Sequence, residues 1–163
     1  MLTTLSIRDV VLVNALDLEV EDGLTVLTGE TGAGKSIILD ALGLALGARS
    51  DAGLVRNGAK QASATAVFTA PDDEALIALL SERGFDVAPG EELILRRVVS
   101  ADGRSRAYVN DQPAGVTALR EIGALLVEVH GQHETVGLLD WKTHRALLDL
   151  SLIHISEPTR PLY

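Results

Sequence analysis

The sequence predicts an α/β fold of the P-loop NTPase class, a mixed sheet with an antiparallel β portion, and three observations carry that prediction. The stretch Gly29-Glu30-Thr31-Gly32-Ala33-Gly34-Lys35-Ser36 spells G-x-x-x-x-G-K-S, with the apolar run Leu24 to Leu27 before it and a helical pattern from Ile37 after it. Turn signals at Asp22-Gly23 and at Ala101-Asp102-Gly103-Arg104 separate alternating strand-like segments. Apolar spacing switches repeatedly between the strand period and the helix period along the chain.

In chain order, residues 3–8, 15–20 and 24–28 read as three short strands, the third feeding the glycine-rich loop. Asp22-Gly23 is expected to close a hairpin between the second and third. Ser36 to about Leu46 reads as a helix ended by Gly47, and its nearly continuous apolar stripe predicts burial between layers. The polar stretch Ala48 to Gln61 reads as a surface loop that places Arg49, Arg56 and Lys60 near the nucleotide side. Ala62 to Ala70 follows as a strand, and Pro71-Asp72-Asp73-Glu74 opens a second helix that stops at Gly84. Leu93 to Ser100 and Ser105 to Asn110 form a second hairpin, whose Arg96, Arg97, Arg104 and Arg106 read as solvated strand faces. Thr117 to Leu125 is a short helix and Leu126-Val127-Glu128-Val129 a buried strand, ending in His130-Gly131-Gln132-His133-Glu134. Asp140 can cap a last helix from Trp141 to Leu150. Ser151 to Tyr163 continues no pattern and is Pro-rich, so it reads as a non-native or disordered tail outside the fold.

The loop chemistry follows from what a polyphosphate requires. Gly29, Gly32 and Gly34 allow backbone turns that direct successive N–H groups inward around an anion. The following helix contributes the positive end of its dipole. Lys35 can set its ammonium between the outer phosphates, and the Ser36 hydroxyl can complete the oxygen shell of a bridging Mg2+. Glu30 and Thr31 occupy variable positions of the loop, with Glu30 read as solvated.

Composition narrows the remaining classes. The 163 residues suffice for one domain, and with only 3% aromatic residues the core must be built from Leu, Val, Ile and Ala. Cysteine is absent, which excludes a disulfide framework and any thiolate metal site. Met1-Leu2-Thr3-Thr4 lacks the basic region of a secretory signal, and the apolar runs are too short to span a membrane, so a soluble cytoplasmic protein is expected. A net charge of −9 argues against this piece alone being a strong nucleic-acid binder, since backbone contacts need clustered Lys and Arg.

Two stretches go beyond a generic phosphate loop. Leu24 to Leu42, close to the N-terminus, resembles the start of an SMC-like ATP-binding-cassette head, and Val129-His130-Gly131-Gln132-His133-Glu134 resembles the Q-loop of the RecN family of bacterial double-strand-break repair ATPases. The resemblance covers roughly residues 1–150. It implies the N-terminal half of an ATPase head, with Gly29 to Ser36 (Glu30, Thr31 and Ala33 included) around the phosphates of ATP. Lys35 and Gln132 would be the catalytic contacts, and Ser36 and Gln132 would meet Mg2+. It also implies that the Asp9 to Asn14 connection approaches adenine. The partners it implies are the C-terminal half of the same head, a second head brought together by ATP, and DNA through the full-length protein, in a nucleoid-associated setting with no membrane. The sequence holds no S-G-G signature, no apolar run ending in Asp-Glu and no heptad repeat. Those come later in the family, so this polypeptide alone is expected to fold poorly or bind ATP weakly, with no turnover.

Three other readings stand beside this one. A small P-loop kinase would need a lid with arginines, and Arg96, Arg97, Arg104 and Arg106 sit on what reads as a structural hairpin instead. A zinc hydrolase built from His130, His133, Glu134 and His144 lacks either usual helical spacing. A non-hydrolysing ATP-gated interaction module differs from the favoured reading only in whether a catalytic carboxylate is supplied from elsewhere.

Overall fold

The computed structural model describes residues 1–28, 34–50 and 52–129. Met1–Val127 forms one compact unit, and Glu128–Tyr163 is a separate unit. The expected H-G-Q-H-E segment from His130 to Glu134, the last helix from Trp141 to Leu150 and the tail from Ser151 to Tyr163 lie outside the described residues.

The first unit is built on a six-stranded antiparallel sheet in the order β2-β1-β3-β4-β5-β6, with β1 Leu2–Val10, β2 Val13–Glu19, β3 Gln61–Thr69, β4 Glu92–Ser100, β5 Ser105–Val109 and β6 Gln112–Ala114. Alternation decides which side of the sheet is dry. Along β3 the inward set is Ala62, Ala64, Ala66 and Phe68, and along β4 it is Leu93, Leu95, Arg97 and Val99, all buried. Small alanines on β3 let α1 (Lys35–Ala45) lie close over the sheet, where it touches β3, β1 and β4. Two further helices, α2 (Glu74–Glu82) and α3 (Val116–Leu126), pack on one another, and α3 also touches β5.

Local chemistry accounts for the element ends. The Asp73 carboxylate accepts from the Ala75 and Leu76 amides at 2.7 and 3.3 Å, capping α2. Asn110 and Asp111 both have positive φ, as a two-residue hairpin turn of the primed type requires, and so join β5 to β6. The Asn110 side chain accepts from the Ile94 amide and donates to the Glu92 carbonyl, extending the ladder past the end of β5. Strand β6 has only three residues and contains Pro113, which is why periodicity did not reveal it.

Four expectations are corrected. Residues 24–28 form no strand, so Asp22-Gly23 makes a turn, with Gly23 at φ +102°, but no hairpin. A strand needs ladder partners for its N–H and C=O groups, and no described strand pairs with this run. Helix α1 is covered on one side only: Ile37, Ala41, Leu44 and Ala45 are buried, whereas Leu39 is exposed and Ile38 and Leu42 are half-buried. Leu126 ends α3, and residues 127–129 are not strand. Arg97 does not lie on a wet face, because strand alternation turns it inward to 3% exposure.

Candidate nucleotide-binding site

Of the G-x-x-x-x-G-K-S stretch, Gly34, Lys35 and Ser36 are described, while Gly29, Glu30, Thr31, Gly32 and Ala33 lie outside the described residues, as does Gln132. Gly34 is the N-cap of α1, and Lys35 and Ser36 are the first two residues of the helix. The Gly34 carbonyl accepts the Ile38 amide at 3.2 Å, so the helical ladder begins immediately behind the loop. Among the described residues no side chain caps the helix, and its first turn carries no acidic residue. The positive end of the helix dipole therefore meets no carboxylate of its own first turn. Ser36 is exposed and Lys35 half-buried. An ammonium, a hydroxyl and first-turn amides at one helix end form a donor set that fits a polyphosphate with its metal.

The loop that follows α1 is tied to the β1–β2 turn. The Arg56 Nε donates to Asp9 Oδ1 at 2.7 Å, its amide donates to the Asp9 carbonyl at 2.8 Å, and the Val11 amide donates to the Leu54 carbonyl at 2.9 Å. Asp9 and Val11 both stand at φ +51°. For a β-branched residue such as Val11 this backbone region is strained, by about 1–3 kcal/mol, and the surrounding bonds hold it in place. The turn that the resemblance places near adenine is thus bonded to the loop after α1, and Arg56 is engaged there by a carboxylate. Sequence reading named Arg56 without its partner, because an ion pair across 47 positions leaves no local pattern.

At its other end α1 is fixed to α3 by backbone approach. A Cβ on Gly47 would lie 2.7 Å from the Arg120 amide nitrogen, and one on Gly123 would lie 3.0 Å from both Leu46 Cβ and the Leu46 carbonyl oxygen. Arg120 Nε also donates to the Gly47 carbonyl at 3.3 Å. Beside this junction, Arg97 donates through one terminal nitrogen to Ser105 Oγ at 2.9 Å and Ser50 Oγ at 3.3 Å, while its Nε and other terminal nitrogen have no partner among the described residues. Burial, then the nearby Arg120 charge, lowers the Arg97 pKa from its ordinary value.

Among the described residues no group of three His, Cys, Asp or Glu could hold a metal ion, and His130, His133, Glu134 and His144 of the zinc reading lie outside those residues. The kinase reading required Arg96, Arg97, Arg104 and Arg106 on a lid, but Arg96 and Arg97 are in β4, Arg106 is in β5 and Arg104 is in the turn between them.

Comparison with known proteins completes the picture. A family model described as an AAA domain matches residues 4–88, more than half of the chain. The chain belongs to the AAA domain family. This AAA domain is also 42% identical over 149 residues to the DNA repair protein RecN of Vibrio cholerae and 41% identical over 149 residues to that of Bacillus subtilis. Each alignment takes in 91% of this chain and 26% of the relative, so the chain spans about a quarter of the length of the curated relatives it matches. The resemblance to RecN read from the sequence is shown by these relatives. Among solved structures, one from work on ATP-driven dimerization and DNA-stimulated activation of SMC ATPases superposes with a TM-score of 0.61 at 23% identity, over 91% of this chain and 97% of that one. The SMC head domain from Thermotoga maritima gives 0.55 at 20% identity, over 74% of this chain and 41% of that one. At those identities the likeness establishes the fold, which is that of an SMC-like head lobe.

Proposed function

We propose that this AAA domain is the ATP-binding lobe of a RecN-type ATPase head acting in DNA double-strand-break repair. The observation that carries it is the placement of Lys35 and Ser36 in the acid-free first turn of α1, in a chain whose RecN relatives align over 91% of its length. In this reading Gly29 to Ser36 would wrap the phosphates of ATP, Lys35 would neutralise charge on the outer phosphates, Ser36 would ligate Mg2+, and Gln132 would contact Mg2+ or the attacking water. The bound Mg-ATP supplies the phosphoanhydride that is cleaved. Hydrolysis then depends on a carboxylate and a signature loop from the remainder of the protein and from a second head, so ATP closes two heads on one another. Support for that dependence comes from the sequence, which has no S-G-G segment and no apolar run ending in Asp-Glu. DNA is the proposed partner of the full-length protein, and the proposed compartment is the cytoplasm, at the nucleoid; among the described residues no helix is long and apolar enough to cross a membrane.

The deciding measurement is steady-state ATP hydrolysis by the full-length protein and by Lys35→Ala and Gln132→Ala variants. Turnover is expected to fall by about a hundredfold or more in each, with nucleotide affinity lowered mainly by Lys35→Ala. Unaltered turnover in Lys35→Ala would remove the assignment. The 163-residue polypeptide alone is expected to show no hydrolysis, and a rate that vanished on Lys35→Ala would show that this lobe is catalytically sufficient.

A further inference from the structure

The outward side of the sheet gathers arginines and hydroxyls in two adjacent rows of this acidic chain, with Asp17, Glu19 and Glu92 toward its edges and strand ends. Cross-strand register aligns Ser6, Thr65, Arg96 and Tyr108 in one row over β1, β3, β4 and β5. The adjacent row on the same side is Arg8, Ser63, Val98 and Arg106. These positions are half-buried or exposed, while their inward neighbours are buried. Three guanidiniums and four hydroxyls thus share one flat side of a protein whose net charge is −9. From Arg8 to Arg106 the rows cross three strand intervals, about 14 Å at the usual strand separation.

Carboxylates enter this side from its margins. Asp17 on β2 pairs with Arg8 at 2.8 Å, and Asp111 in the β5–β6 turn pairs with Arg96 at 2.7 Å. Both carboxylates are well exposed, at 55% and 75%. Ion pairs that open to water are weak and salt-screened, so a phosphate can displace either carboxylate from its arginine. Arg106 makes no ion pair among the described residues. The Arg96 guanidinium is held 4.6 Å above the Tyr108 ring, which fixes its plane without using its hydrogen-bond donors.

We propose that this outward side, through Arg8, Arg96 and Arg106, is a contact surface for the phosphodiester backbone of duplex DNA. The proposal rests on the repair reading above and locates its DNA partner on this lobe. Planar guanidiniums suit bidentate phosphate contacts, and hydroxyl-bearing side chains are the usual companions of such contacts. The guanidiniums are spaced over a rigid sheet, so a regular polyanion can meet all three at once. A flat side presents nothing that enters a groove, so contact here is independent of base sequence.

The test measures binding of the full-length protein, with ATP, to short duplexes of two unrelated sequences over a range of salt concentrations. Arg8→Gln, Arg96→Gln and Arg106→Gln combined are expected to weaken both duplexes alike, by about tenfold, and to flatten the salt dependence by about one unit of slope per arginine, with nucleotide affinity unchanged. Arg106→Gln alone breaks no described ion pair and is expected to lower the slope by about 1. It keeps the test decisive should the triple variant fail to fold. If affinity and slope match the unaltered protein, the surface is wrong and the repair reading survives. Loss on one sequence only would also overturn the backbone contact. If the unaltered protein binds neither duplex, both the surface and the proposed DNA partner fail.

Discussion

The dry side of the sheet and the stretch that leads into the phosphate loop are equally apolar, yet they meet opposite fates. Phe68, Leu93, Leu95, Leu76 and Leu119 are completely buried, whereas Leu24 is 91% and Val26 67% exposed. Composition therefore does not decide burial here. Every strand of the sheet has an antiparallel neighbour, across a short turn for β1–β2, β4–β5 and β5–β6 and through longer connections for β1–β3 and β3–β4, and α1 and α3 pack on it. Residues 24–28 have no described strand beside them, so the same residue types stay wet. The lesson is that the β portion is self-sufficient, while the phosphate-binding side has apolar surface still to cover. The SMC-like reading assigns that cover to the rest of the head.

That contrast can be broken by mutation. Leu119→Ala and Leu76→Ala should each destabilise the chain by about 2–5 kcal/mol in denaturant unfolding, since both sites are sealed. Leu24→Ser and Val26→Thr should change the stability of this chain by no more than about 0.5 kcal/mol. In the full-length protein the same two substitutions should cost considerably more; if they remain silent there, the exposed run is never covered and the contrast loses its meaning.

Smaller effects sharpen the picture within the covered half. Gly123→Ala places a Cβ 3.0 Å from Leu46 and should cost about 1–3 kcal/mol, measured by thermal or denaturant unfolding, because backbone on the facing side leaves little room to adjust. Asp73→Ala removes the α2 cap and should cost about 1 kcal/mol in the same measurement.

The smallest effect is a pH dependence. The Ser6 hydroxyl, then the Arg8 guanidinium, hold Asp17 below the usual carboxylate range, and the Arg104 amide, then its side chain, do the same for Asp102. Both groups bind protons more weakly folded than unfolded, so their stabilisation is in place above the ordinary carboxylate range and is lost as pH falls through the lowered folded-state values. A thermal-unfolding series from neutral to acid pH should show a shallow decline there, made shallower still by Asp17→Asn with Asp102→Asn. Both groups are exposed, so the change is small.

Much of this architecture was legible because its signals are local. Alternation marked β1 to β5, Asp73 and Gly84 marked the ends of α2, and Gly47 marked the end of α1. Periodicity failed at 24–28 because an apolar run states only that a segment wants cover and not who provides it. The inward turn of Arg97 was available in principle. Leu93, Leu95 and Val99 set the phase of β4, and position 97 shares it, so counting by two would have placed the arginine inside. The Asp9–Arg56 pair and the Gly47 and Gly123 contacts were not available, since each joins elements far apart in sequence. Of the candidate site, Lys35 and Ser36 are the first two residues of α1, and the other assigned positions from 29 to 33 and Gln132 lie outside the described residues.

The two glycine contacts at the far end of α1 have a mechanical consequence. Side chains cushion most helix junctions, and they can shift rotamer to absorb a small displacement; at Gly47 and Gly123 main chain meets main chain or Leu46 directly, and that cushion is missing. The eleven residues of α1 span about 16 Å, with the lysine and serine at one tip and this unyielding hinge at the other. A shift of α1 against α3 at this junction therefore has to move backbone, because no rotamer change is available to take it up.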